Sequence, residues 1–352
     1  MRTRPLPPPE RLRPDNVTPP TRTPWGGRWI ARCFKARLGV GDAAAVIGEA
    51  WEISVEPSFP SRLARTGEAL ADVIARDPEA WLGPAAVRDG GQLPLLVKVL
   101  DAAENLSVQV HPAADDPALA AHESGKPEAW IVVAAAPGAG IYLGFRDGVG
   151  RADVAACLRG GGALDGLLNF VPVACGDVFV VDAGTVHAIG AGVTLVEPQR
   201  VTPGKQAVTY RLWDWDRRYD PAGRPDPRGA PRPLHVARAL AAIDWGAPRG
   251  AAFVAACRSR PTVVDADGLR RVSVLATPWC TAERWSGDGA RTVDVASFLG
   301  VVCLGGQLTI ETTSGAVTLA CGESAAVPAA AGRVRVLGSG VDAVACTPGA
   351  PE

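Results

Sequence analysis

No run of about eighteen apolar residues occurs in the 352-residue chain, so no transmembrane helix is expected. No apolar stretch follows the arginines near the N-terminus, which predicts no secretory leader. Charge of one sign is not in excess. The 36 basic and 37 acidic residues leave a formal net charge of -1. A general nucleic-acid binder would carry a basic surface, so that class is excluded, while a local basic pocket for one small anion is not. None of the eight cysteines stands in a C-x-x-C pair, so no thiolate zinc site is signalled. They read as small core hydrophobes of a protein kept in the reducing cytoplasm. Lysine is scarce: of 36 basic residues only Lys35, Lys98, Lys126 and Lys205 are lysines. Three of them fall in segments singled out below. A compact ammonium is not interchangeable with a guanidinium there, although a codon bias toward arginine would leave a similar remnant. Histidine is scarcer still, at positions 111, 122, 187 and 235.

What is present is enough to build a core. Hydrophobic residues make up 47% and charged residues 21%, and the length suits two domains or one with an insertion. Residues 1–24 are proline-rich without periodicity and read as an extended arm. Over 62–88, Leu63, Leu70, Ile74 and Leu82 fall at helical spacing, with a break near Pro78. From Leu93 short apolar runs alternate with Gly, Pro, Asn and Asp. That texture predicts a mainly β protein, a compact antiparallel sandwich or barrel. Helical insertions are expected near 62–88 and over 151–168, the latter with Val154, Leu158, Leu164 and Leu168 inward. A further helix is expected over 233–243. Residues 290–348 read as β again and weakly repeat the first β region. In that register Gly176, Asp182, Gly184 and His187 correspond to Gly322, Pro328, Ala330 and Arg333. The second copy thus carries arginine in place of histidine, which predicts a scaffold without metal. The expected division is an arm over 1–24, a metal-binding domain over 25–245 and a metal-free domain over 246–352.

Two histidines sit in distinctive settings. Gln109 and His111 lie two apart in LSVQVHP, so a strand there presents an amide oxygen and an imidazole on one face. GDVFVVDAGTVH reads as strand, tight turn and second strand opening on His187. Glu128, in GKPEAW, supplies a carboxylate. Two imidazoles, one carboxylate and one amide oxygen suit Zn²⁺ with a position left open. The same shell would hold Fe²⁺ or Mn²⁺.

LLVKVLDAAENLSVQVHP, GKPEAW, GDVFVVDAGTVHAIGAG and VTYRLWDWDR resemble, in order, the consecutive motifs of class I mannose-6-phosphate isomerases. WGG near residue 25 and GEAWEIS at 48–54 are similar to that family's N-terminal motifs. The resemblance spans roughly 24–220 and weakens in the tail. It implies cupin-type jelly-roll β-sandwiches with a helical insertion, one zinc per chain, and interconversion of mannose 6-phosphate and fructose 6-phosphate. It implies Gln109, His111, Glu128 and His187 as metal ligands, Lys126, Glu197 and Arg211 as catalytic residues, and Lys98 and Ser107 as contacts to the phosphate. Two positions depart from the family pattern. Asp182 stands where proline is usual, and the segment after Glu197, PQRVTPGKQAV, is longer. Arg200 and Lys205 in it are either extra phosphate contacts or solvated loop charges.

Moving a proton between C2 and C1 of a sugar phosphate passes through an enediol with oxyanion character. The site must therefore supply a base and fixed donors. Glu197 or a group near the metal is the expected base, and burial would lift its pKa toward neutrality. Arg211 would face the developing oxyanion; the competing reading pairs it with Asp214 or Asp216. Trp25 and Trp51 are expected to wall the sugar, whereas Trp130 shares the face of Glu128 and reads as core. The expected partner is a small sugar phosphate, with no nucleic acid or membrane, and the oligomeric state stays open. Two other functions remain: an iron-dependent cupin oxygenase and a sugar-binding cupin without turnover.

Overall fold

A computed structural model describes residues 5–84, 86 and 89–349. Residues 1–4 of the expected arm, and 85, 87 and 88 of the expected helical insertion, lie outside the described residues, as do 350–352. The strands are β1 (Glu10–Arg11), β2 (Glu49–Ile53), β3 (Leu95–Asp101), β4 (Val108–Val110), β5 (Glu123–Ser124), β6 (Glu128–Ala135), β7 (Gly140–Phe145), β8 (Leu168–Pro172), β9 (Val178–Val181), β10 (His187–Ile189), β11 (Val193–Arg200), β12 (Gln206–Ala207), β13 (Tyr210–Trp213), β14 (Thr262–Asp265), β15 (Arg270–Ala276), β16 (Cys280–Val295), β17 (Leu299–Thr312), β18 (Gly315–Ala320), β19 (Ser324–Val327) and β20 (Gly332–Pro348). Among the described residues they are accompanied by the α-helices α1 (Leu70–Arg76), α2 (Pro78–Leu82), α3 (Arg151–Arg159), α4 (Val236–Ala242) and α5 (Gly250–Cys257).

The protein is mainly β and has the jelly-roll organisation of a cupin. Two five-stranded antiparallel sheets, in the orders β2-β3-β11-β6-β9 and β13-β4-β10-β7-β8, face each other. Leu100, Trp130, Val132 and Leu195 of the first sheet meet Ile141, Leu143 and Ile189 of the second in one buried cluster. The larger sheet, built from β1 and β14–β20, packs on the outer face of the first sheet. There Ile53, Val97, Val99, Ala129, Ile131 and Val196 share a core with Val274, Leu275, Cys280, Val302 and Val344. The first sheet is therefore a middle layer. Its strands bury both faces, which is why β3 reads as an almost unbroken apolar run and is buried at every residue. Lys98 is the one cation in that run, and it points away from the middle core into a cleft.

Several elements are shorter than their sequence patterns. The helical pattern over 62–88 begins only at Leu70, because the preceding residues fold back through an Arg62–Ala69 bridge. Asp77 then accepts from the Ala80 N–H, and Pro78 occupies the first turn of α2, where a missing N–H costs nothing. Over 151–168 the helix stops at Arg159, before three consecutive glycines; Val154, Leu164 and Leu168 are buried and Leu158 is half-buried. The helix expected over 233–243 spans Val236–Ala242. The arm contributes an edge strand, since β1 pairs with β19 of the large sheet. Helix α5 lies beyond the boundary drawn at residue 245, yet its Phe253 packs into the first sandwich with Ile141 and Leu143.

Candidate metal centre and cleft

Strand alternation decides which side chains meet. On β6, Glu128 and Trp130 face inward while Ala129 and Ile131 face the middle core. On β11 the inward set includes Glu197 and Gln199. From the opposite sheet, β4 presents Gln109, β10 presents His187, and these two are directly paired. Arg211 of β13 pairs with Gln109 on the other side. His111 follows the end of β4, and its carbonyl accepts from the Gly184 N–H at 2.8 Å, which ties it to the turn before His187. That turn needs glycine: Gly184 has φ +79°, and a Cβ there would lie 2.9 Å from Asp244. Asp182, standing at the position where proline is usual, closes the turn through its carbonyl, which accepts from the Thr185 N–H at 3.2 Å.

His111, Glu128 and His187 form a buried three-residue cluster whose ligand atoms lie within 4.8 Å of one another. His111 Nδ1 is bonded to the Val208 carbonyl at 3.1 Å and His187 Nδ1 to the Thr185 carbonyl at 2.9 Å. With Nδ1 carrying the proton, each Nε2 lone pair points at the cluster centre. Burial, followed by the Lys126 charge, lowers the His111 pKa, and burial lowers that of His187 to about 4, so both rings are neutral. Burial alone would raise the Glu128 pKa, but Lys126 and His111 beside it hold the carboxyl well below its usual range.

The spacing fits a metal. A tetrahedral ion with N and O ligands at about 2.0–2.1 Å sets its ligand atoms about 3.3 Å apart. His111 Nε2 and His187 Nε2 lie 3.2 and 3.4 Å from the two Glu128 oxygens. Gln109 Nε2 is 3.2 Å from His187 Nε2, and Gln109 Oε1 accepts from Ser107 Oγ at 3.2 Å. Turning that amide over presents its oxygen to the cluster and its NH₂ to the Ser107 hydroxyl. His111 Nε2 and Glu128 Oε1 are buried without a hydrogen-bond partner, as ligand atoms awaiting an ion would be. His111, Glu128 and His187 are the one group among the described residues that could hold a metal ion through His and carboxylate ligands. Arg333, read in the sequence as the counterpart of His187, is exposed and pairs with Asp294 at 3.4 Å.

Beside this cluster opens a cleft of about 380 Å³. It is lined by Gln109, Lys126, Glu197 and Arg211, and by Lys98, Ser107, Trp25 and Trp51. Arg200 and Lys205 are not among its lining residues. Arg200 ends strand β11, and its guanidinium pairs with Asp89 at 3.1 Å, so the reading of Arg200 as a free loop cation is corrected.

Glu197 is buried and receives two hydrogen bonds, from Trp130 Nε1 at 3.1 Å and Gln199 Nε2 at 2.7 Å. Burial and the neighbouring Glu128 charge push its pKa up to about 7, against the pull of Lys98 and Lys126. Trp130 is thus more than core, since its indole N–H holds this carboxylate. Gln199 was not foreseen; its NH₂ bridges Glu128 and Glu197, at 2.9 and 2.7 Å. Its position two residues after Glu197 on one strand was the available signal. Lys98 lies 3.8 Å from Glu197 and 3.9 Å from Glu49, with its ammonium 4.4 Å from the Trp51 ring. Lys126 Nζ contacts Glu128 Oε2 at 3.1 Å, and although burial opposes its charge, Glu128 and Glu197 raise its pKa.

The ion pair that competed for Arg211 does not form. Asp214 is taken by Arg217 and Arg232, and Asp216 accepts from the Trp213 indole. Arg211 donates through Nη1 to the Pro233 carbonyl at 2.9 Å, while its buried Nε has no partner. Burial, then the Arg232 charge, lowers its pKa to about 10, so it remains a cation.

Comparison with known proteins places these features. Residues 21–142 match the family model of the type I phosphomannose isomerase catalytic domain. The chain is 31% identical to mannose-6-phosphate isomerase of Streptococcus mutans over 289 residues, covering 80% of this chain and 82% of that protein. Its fold matches the crystal structure of mannose 6-phosphate isomerase from Bacillus subtilis with a TM-score of 0.76 at 23% identity, covering 97% and 99% of the two chains. It matches the apo form of the Salmonella typhimurium mannose 6-phosphate isomerase with a TM-score of 0.70 at 18% identity, covering 98% and 100%. At these identities the two structures bear on the fold alone.

Proposed function

The chain belongs to the type I phosphomannose isomerase family and is an isomerase of that family, and from this premise we propose that it interconverts mannose 6-phosphate and fructose 6-phosphate with one bound zinc ion, through an enediol. The observation that carries the proposal is the junction of two groups. A buried His–Glu–His cluster stands beside a carboxyl lifted to about 7, inside a cleft walled by cations and indoles. The oxygenase and non-catalytic readings have no comparable support once the family is known.

Gln109, His111, Glu128 and His187 would hold the ion. A zinc ion held by this donor set would supply Lewis acidity for polarising the sugar carbonyl. The protein's own groups do the rest. Glu197 takes the proton from one carbon and returns it to the other, its carboxylate oriented by the Trp130 and Gln199 N–H groups. A base near neutrality both ionises in water-like conditions and holds a proton long enough to deliver it. Lys126, beside Glu128, hydrogen-bonds a sugar hydroxyl. Arg211 keeps fixed donors toward the oxygen on which charge develops; no side chain competes for them. Lys98 and Ser107 contact the phosphate, and Trp25 and Trp51 wall the sugar. Phosphate contacts remote from the reacting carbons can be spent on positioning them. The eight free cysteines suit a reducing compartment, in keeping with the cytoplasm, and among the described residues no helix is long and apolar enough to cross a membrane.

The test is a coupled assay of fructose 6-phosphate formation from mannose 6-phosphate, before and after chelation and again after zinc is returned. Turnover that is lost with the metal and restored by zinc is expected, with free mannose reacting poorly. No turnover by the zinc-loaded protein, or restoration by iron but not zinc, would contradict the proposal.

A further inference from the structure

The cleft has two walls of different electrical character. On one, Lys98 and Lys126 stand among Glu49, Glu128 and Glu197, so each ammonium already faces carboxylates. On the other, Arg211 and Arg232 both line the cleft. Three guanidiniums gather there, those of Arg211, Arg217 and Arg232, against two carboxylates, Asp214 and Glu104. Arg217 pairs with Glu104 at 3.0 Å and with Asp214 at 2.7 Å. Arg232 donates to both Asp214 oxygens, its Nε bond being 2.8 Å. Its Nη1 has no partner among the described residues. Arg211 has none for Nε or Nη2 and forms no ion pair there. One positive charge and several guanidinium donors are thus left over on this wall.

The supporting frame is stiff. Asp214 opens a turn in which Trp215 and Asp216 both take positive φ, 58° and 54°, a conformation that β-carbon-bearing residues hold only when the surroundings impose it. Here the Trp213 indole bonds Asp216 at 3.1 Å, and the Trp215 indole bonds the Leu106 carbonyl at 2.7 Å. The pair of indoles packs with centroids 4.4 Å apart. Such a frame spends conformational freedom on fixing Asp214, and through it the direction of Arg232.

We infer that Arg232, held by Asp214 beside Arg211, is a substrate-binding residue that grips the phosphoryl group from the wall opposite Lys98. This rests on the sugar-phosphate reading above and adds to it a residue that no motif in the sequence indicated. A phosphoryl dianion offers three oxygens, enough for the Arg232 guanidinium and the Lys98 ammonium together, and Arg211 keeps its donors for the reacting end of the sugar. Arg232 then acts on affinity, with little part in the chemical step. Asp214 is a positioning residue.

The probe is inorganic phosphate, with its Kd read by calorimetry on the zinc-loaded protein and its Ki read against mannose 6-phosphate. Arg232→Gln should weaken phosphate binding roughly tenfold or more and raise KM by a similar factor, as expected for losing a charge-assisted contact. It should change kcat by less than about threefold and leave zinc content intact. Equal phosphate Kd in the wild type and the folded variant would overturn the inference. If Arg232→Gln does not fold, Arg232→Lys decides. An ammonium has three donors on one nitrogen but no planar fork, so it cannot grip both Asp214 oxygens and also aim a donor from a separate nitrogen into the cleft; severalfold weaker binding is expected, and unchanged binding would refute the role. Wild-type protein that binds phosphate through Arg232 yet does not isomerise mannose 6-phosphate would sink the isomerase proposal while leaving the anion grip standing.

Discussion

A guanidinium that is largely buried, bonded to one carbonyl and free of any carboxylate keeps donors for a ligand. That is the condition of Arg211. Its catalytic reading predicts that Arg211→Ala lowers kcat by roughly a hundredfold or more, about 3 kcal/mol, the size of losing one preorganised oxyanion donor. Zinc content should not change. The fold should also survive, because Asp214 keeps Arg217 and Arg232 without it. Unfolding of this variant, or a pure rise in KM, would count against the role; steady-state kinetics and a melting curve suffice to tell. Arg200, by contrast, is engaged with Asp89, so no share in phosphate affinity is assigned to it. Glu197 gives a second residue-level prediction, in pH. As a base it must be ionised, so kcat/KM should fall as pH drops through its pKa, which stands at about 7 without metal. A bound dication beside Glu128 offsets that carboxylate's charge and moves the acid limb to or below this value. Lys98 and Lys126 pull in the same direction. Lys98→Met removes one such pull, so the limb should move to higher pH, whatever happens to KM. A limb that stays put, measured from pH 5 to about 9, would place the base elsewhere.

At the scale of elements, alternation was legible wherever one strand faces one layer. Gln109 and His111 were placed on a common face by period two alone, and the structure keeps them within one site. The strand β11 was harder, because Pro198 and the following proline and glycine read as loop, yet pairing with β3 on one side and β6 on the other carries it through to Arg200. Helical periodicity over 62–88 overshot, since spacing cannot announce the bridge that delays α1. One contact between elements makes a stability prediction. Lys35, after the turn Ile30–Phe34, forms a buried ion pair with Glu52 of β2 at 2.6 Å, and also donates to the Gly322 carbonyl at 2.6 Å. Both side chains are nearly sealed from water, at 0% and 3% exposure. Lys35→Met should therefore cost about 3 kcal/mol or more, because it strands the Glu52 carboxylate in the core. Adding Glu52→Leu should recover much of that loss. Denaturant unfolding of the single and double variants reads both, and a double variant no better than the single one would mean that the pair is not the origin of the cost.

At the scale of the molecule, the three larger sheets, one of them a middle layer, explain the composition. Strands of the middle sheet need apolar residues on both faces, and the charges they bury are paired or face the site: Lys98, Glu128 and Glu197 beside the cleft and the metal cluster, and Glu52 in its ion pair with Lys35. Residue types and their spacing pointed on their own to a mainly β chain and to Gln109, His111, Glu128 and His187 as a mixed nitrogen and oxygen donor set, and the family resemblance implied that the four serve one metal. Local sequence suffices for this because strand alternation and tight turns act over a few residues. The partners of those groups were beyond it. That Gln199 bridges two carboxylates, that Trp130 holds Glu197 and that β1 closes the far sheet depend on strands brought together from distant parts of the chain, and that Asp214 is taken by Arg217 and Arg232, leaving Arg211 without it, depends on how the loop after β13 folds back. Only the tertiary fold decides such pairings, because the energy of a charge or a donor is set by the neighbours that burial imposes on it.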